Sequence, residues 1–210
     1  MAEERRSPWA FLKVDPKDLV VETFSVVLGI ILAVSVGRFI DDRHAHTRMM
    51  DALGEIRQEI AADDVTIRAL HPLHVRVRES FEKTLKAARG EQVDFDTFSR
   101  AFASAAPKGF QPFNGTTTAW ELARNGNVLS DVPYDVRKSL QERYSHIAGL
   151  REQNSELVLR LDSSASELRP NFYFTMRAST LVLLDIGATE DELLKDDSEA
   201  LDQLKHFGVE

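Results

Sequence analysis

Apolar positions along the first third of the chain change their spacing once, near Ile40. From Leu19 to Ile40 the run is apolar on every side, interrupted only by Glu22 and Arg38 close to its ends. Beyond it, Met49, Leu53, Ile56, Ile60, Ile67, Leu70, Val77 and Phe81 recur at spacings of three, four or their sum, with His46, Asp63 and His74 at the same register positions. A helix that is hydrophobic all round needs lipid or a large core, whereas a three-four alternation makes one buried stripe. The pattern therefore predicts a transmembrane helix over 19–40 that continues into a stalk helix with a coiled-coil-like heptad seam. Those 22 residues span about 33 Å at ~1.5 Å each, close to the ~30 Å of bilayer hydrocarbon. Both interrupting charges lie where a long side chain reaches the headgroups.

A cleaved signal peptide is the competing reading, since Arg5 and Arg6 precede the run and Ser35-Val36-Gly37 offers a small-x-small cleavage pattern. The run is longer than a signal core, and the helical pattern continues past it without a linker, so retention as an anchor is expected. Within the anchor Ser25, Gly29, Ala33 and Gly37 recur every four residues. Small residues in that register let another helix backbone approach closely, so the stripe predicts a membrane-helix partner, either a second copy or a different protein.

Further along, Pro72 predicts a break or kink near residues 70–72, and Gly90 a helix end. Asp94 opens a short helix with a Phe95, Phe98, Phe102 stripe; the loop PKGFQPFNG follows. Thr118 and Glu121 have capping-box spacing ahead of a helix that carries Trp120 and stops at Gly126. A long helix is expected from residues 131–133 to 169, with Leu140, Ile147, Asn154, Leu161 and Leu168 seven apart, and Val136, Arg143, Leu150 and Leu157 complementing them. Pro170 starts a segment read as a buried helix over 172–186, or as a strand over 180–186. Thr189 and Glu192 then cap a separate acidic helix. The fold class is all-α: a single N-terminal transmembrane helix, a long stalk helix and an antiparallel helical bundle. The expected divisions are a tail over 1–18, the anchor over 19–40, the bundle over 41–186 and an acidic segment over 187–210.

Charge narrows the function classes. The 210 residues carry a formal charge of -8, and eight acids against two lysines after Ile186 supply much of it. Arg68 to Arg89 interleaves its cations with Glu79 and Glu82 as a solvated face, so nucleic acid is not an expected partner. With no cysteine there is no disulfide, thiolate metal site or thiol nucleophile. His44 and His46 point to opposite sides of a helix, and His71 and His74 flank Pro72, so neither pair predicts a metal site. Asp196, Asp197 and Glu199 lack the spacing of a calcium loop. Trp120, Glu121 and Arg124 read as a helix anchored to the bundle. No phosphate loop, nucleophile elbow or dinucleotide fingerprint is present. No catalytic residue, metal or cofactor is expected.

The stretch ETFSVVLGIILAVSVGRFIDDRHAHTRMMDALGEIRQEIAAD resembles the start of a bacterial family of uncharacterised single-pass membrane proteins. TTTAWELARNGNVLSDVPYDVRKSLQERYSHI is similar to a second block of that family. The chain departs from the family in lacking the aromatic and asparagine residues that often follow the anchor. The resemblance implies an anchored helical domain and brings no activity. Lysines and arginines are nearly balanced on the two sides of the anchor. The short N-terminal side makes a cytoplasmic N-terminus and an extracytoplasmic helical domain the expected arrangement in a bacterial inner membrane. Three functions follow: an anchored interaction or scaffold module, a ligand- or envelope-sensing helical bundle, and an unrecognised hydrolase. Sensing bundles usually join a second crossing or a signalling domain, and neither is read here.

Overall fold

A computed structural model describes the backbone of residues 16–166 and 171–209, and the side chains of 23–161 and 171–209. Five helices make up the described fold, with no strand among the described residues: α1 Pro16–Ala88, α2 Phe95–Ala105, α3 Thr118–Asn125, α4 Tyr134–Ser166 and α5 Tyr173–His206. The basic residues Arg5, Arg6 and Lys13 lie outside the described residues, as do Leu168 and Arg169. The chain divides into two compact units, Met1–Thr47 and Arg48–Glu210.

In the first unit, α1 contains a segment long and apolar enough to cross a membrane, and none of that segment is buried. Eleven large apolar side chains between Phe24 and Ile40 are each at least 44% exposed.

The second unit has its own core. Leu53, Ile56, Ile60, Ile67, Val77 and Phe81 of α1 are fully buried, as the three-four pattern predicts. Ile147, Leu150 and Leu157 of α4 and Met176, Ile186, Leu193 and Leu204 of α5 are buried in the same cluster. α4 and α5 run antiparallel, since Arg143 reaches Asp197, His146 reaches Asp196 and Gln153 meets Thr189.

Three local expectations are corrected. The helix does not break at Pro72: α1 runs through it to Ala88. The missing amide and the ring clash cost a helix interior about 3 kcal/mol. Here the same turn is held from outside, with Leu70 and Leu73 packed on the core and His71 and His74 both bonded to Glu190. The region after residue 172 is neither a strand over 180–186 nor two helices, because α5 is continuous from Tyr173 to His206. Its acidic half has buried partners, and Glu190 and Asp197 sit inside the unit. The cap of α3 falls one residue early. Thr117 is the N-cap residue and its hydroxyl donates to the Glu121 carboxylate at 2.8 Å, with no side-chain bond to the helix backbone.

The remaining ends follow their punctuation. α1 stops just before Gly90, whose φ of +86° suits glycine. Asp94 caps α2 by accepting the Thr97 amide at 2.8 Å. The Thr97 side chain first, and then its amide, hold the Asp94 carboxyl below the usual range.

Candidate functional site

The polar residues that interrupt the apolar seams converge inside the Arg48–Glu210 unit. Asp63 of α1, Arg143 of α4 and Asp197 of α5 form one buried set. The Arg143 guanidinium donates from Nε to Asp197 at 2.6 Å and from Nη2 to Asp63 at 2.8 Å. It also lies 4.6 Å over the ring of Tyr144. Nη1 of Arg143 and Oδ2 of Asp197 are buried with no partner.

Two carboxylates here share one guanidinium, and burial disfavours the surplus charge. Burial pushes the Asp197 carboxyl up to about 6; Arg143 pulls the other way, and Asp64 and Asp63 add to the rise. Arg143 stays charged, because the pull of burial on it is outweighed by Asp197, Tyr144 and Asp63. Burial raises the Tyr144 phenol too, with Arg143 opposing and the bond to Glu59 adding. That phenol donates to Glu59 at 2.6 Å, and its ring stacks on Trp120 at 5.0 Å. Trp120 thus anchors α3 to α4.

A second cluster lies seven residues back along α5. Glu190 is fully buried and takes His74 at 2.7 Å on one oxygen and His71 at 3.0 Å on the other. The other ring nitrogen of His74 donates to the carbonyl of Gln111 at 2.9 Å. That nitrogen carries a proton, since a carbonyl only accepts. His74 also stacks on Phe110 at 4.8 Å.

These groups share one structural task. Residues 109–117 have no regular secondary structure, so their backbone cannot satisfy itself. His74 donates to the carbonyl of Gln111, Asn154 to that of Phe113 and Arg151 to that of Gly115. Asp63 accepts the Thr116 amide and hydroxyl, and Glu59 accepts the Ala119 amide. Gly115 itself is sterically required: a Cβ there would meet the Phe113 ring at 2.7 Å.

Among the described residues no group of three or more His, Cys, Asp or Glu is arranged to hold a metal ion. Asp196 and Asp197, adjacent in sequence, face different partners, His146 and Arg143. The predicted packing stripe of Ser25, Gly29, Ala33 and Gly37 is exposed along α1, and a Cβ at Gly29 or Gly37 would meet nothing within 4 Å.

Sequence reasoning placed Asp63, His74, Arg143 and Asn154 on seams but did not join them. Glu190 and Asp197 fall in the acidic segment over 187–210, which the sequence does not join to them. Their seven-residue spacing, in phase with Leu183, Leu193 and Leu204 on the buried face, was the available signal. Comparisons with protein-family models, with curated proteins and with solved structures find no match for this chain.

Proposed function

We propose that the chain is a membrane-anchored α-helical interaction module, held by one crossing in a bacterial inner membrane and presenting an antiparallel helical bundle. The observation that carries this reading is the exposure of every residue from Thr23 to Ile40. Hiding one such large apolar side chain from water is worth about 1.5–3 kcal/mol, so eleven left in water would be untenable for a soluble chain. Lipid is the solvent that relieves it. The stripe of Ser25, Gly29, Ala33 and Gly37 supports a second membrane helix as partner, self or heterologous.

The test is fractionation of the expressed full chain. The parent is expected to pellet with membranes and resist carbonate, while Ile31→Arg/Leu32→Arg is released. A parent found in the soluble fraction, or an N-terminus beginning near Arg38, overturns the reading. A reporter fused at Glu210 that is active only outside the cytoplasm is the expected outcome for orientation.

One observation favours a second reading, a sensing bundle. The Asp63–Arg143–Asp197 set carries one more acid than base where solvent does not reach. Such a set responds to a change in proton availability. Reporter output that follows external pH in the parent and not in Asp197→Asn would favour it.

A further inference from the structure

α5 turns one continuous face outward over its first four turns. Phe174, Arg177, Leu181, Leu184, Asp185 and Ala188 are exposed and Ala178 is half-buried, while Met176, Ser179, Leu183, Ile186 and Gly187 between them are buried. Phe174 is 71% exposed, Leu181 57% and Leu184 49%. At about 100° per residue, the seven outward positions all fall within about 60° of Leu181. The face is therefore apolar, with one cation and one anion set symmetrically about its centre. Neither Arg177 nor Asp185 has a side-chain ion pair among the described residues. After Ala188 the outward positions become charged, with Asp191, Glu192 and Lys195.

We propose that this face receives a second copy of the chain, packed antiparallel with a two-fold axis at Leu181. Reversed on itself there, the helix sets Phe174 level with Ala188, and Leu184 level with Ala178. Large side chains then meet small ones. The same reversal brings Arg177 level with Asp185 across the seam, once on each side of the axis, within reach of the long arginine side chain. A two-fold contact requires a self-complementary surface, and this one is complementary in both size and charge. A parallel pair would instead set Arg177 against Arg177 and Asp185 against Asp185, and like charges at one level repel. The charges select the antiparallel arrangement. The contact is one helix pair about 21 Å long, at ~1.5 Å per residue. It lies at the small end of stable interfaces, so association is reversible and concentration-dependent. This pairing does not depend on the membrane reading, because it uses α5 alone.

Single cysteines in the full chain, purified in detergent micelles, test the pairing, since the chain has no cysteine of its own. Under mild oxidation Leu181→Cys is expected to form a disulfide-linked dimer. Phe174→Cys and Ala188→Cys are each expected to remain unlinked alone, and to link when mixed. Independently, Arg177→Asp and Asp185→Arg should each weaken the dimer about tenfold by sedimentation, and the double variant should restore it. All these positions are exposed, and unchanged helical circular dichroism confirms that each variant folds. Self-linking at Phe174→Cys means a parallel pair and overturns the proposal. So does a chain monomeric at every concentration, a dimer held by the anchor with no link at Leu181→Cys, or a different protein found linked there instead.

Discussion

Arg143 and Asp197 meet at 2.6 Å, and neither side chain is exposed to solvent. Replacing one partner strands the other, which costs more than removing the whole set. Arg143→Met, which leaves Asp63 and Asp197 without their cation, is expected to destabilise the chain by about 3–5 kcal/mol in urea denaturation. Adding Asp63→Asn and Asp197→Asn should recover part of the loss. If the triple variant is as unstable as the single one, the surplus charge is not the cause.

The same set makes stability depend on pH in a direction that runs against the usual carboxylate. The Asp197 carboxyl rises from 3.8 to about 6 on folding, so between those values the folded chain binds more protons than the unfolded one. Its contribution is full below the unfolded value and lost as pH climbs through the folded one. The parent should therefore show a component of higher urea midpoint at pH 5 than at pH 7, and Asp197→Asn should lack it. Arg143, Asp63 and Asp64 face this group, and the comparison with the variant removes their common background.

Tyr144 links a stacked ring to a half-buried acid. Tyr144→Phe keeps the stack on Trp120 but removes the donor to Glu59. Loss of a hydrogen bond to a charged group is expected to cost about 1.5–3 kcal/mol. Glu59 also accepts the Ala119 amide, so hydrogen exchange at Ala119 should quicken in Glu59→Ala more than in Tyr144→Phe. Equal rates in the two variants would place the support of α3 elsewhere.

In the anchor, bulk along the small-residue stripe should weaken helix association. Gly29→Leu and Ala33→Leu are expected to lower the signal in a membrane two-hybrid assay, and Leu28→Ala to change it less. A Cβ at Gly29 would meet nothing within 4 Å, and Ala33 is exposed, so both positions have room for a larger side chain. Bulky variants that associate like the parent would make the stripe a matter of composition.

What was legible in the sequence is what local spacing encodes. The apolar seam of α1, the cap at Asp94 and the stop before Gly90 each rest on a few neighbouring residues, and each stands in the structure. Pro72 does not break the helix, and its local penalty is opposed by Glu190, 119 residues from His71 along the chain. The acidic half of α5 is held in the same way, since Asp197 finds Arg143 across 54 residues. Asp63, His74 and Asn154 each interrupt an apolar register and are buried, whereas His46 at the same register is exposed. Their partners lay beyond any local pattern. The anchor stripe is read from the four-residue spacing alone, and its residues are exposed along α1.

The segment over 109–117 carries a consequence for the order of folding. It has no hydrogen-bond pattern of its own, and its backbone is satisfied by side chains from α1 and α4. The Thr116 amide must find Asp63 across 53 residues, and Tyr144 must find Glu59 across 85. Such distant contacts incur their loop-closure entropy before any reward arrives. During synthesis α1 emerges first, with Glu59, Asp63 and His74 still hydrated along its apolar seam. Those hydrated groups resist premature collapse of that seam. Asp63 and Glu59 give up their water when α4 supplies Arg143 and Tyr144, and His74 when α5 supplies Glu190, so the loop that the helices cradle is expected to take shape last.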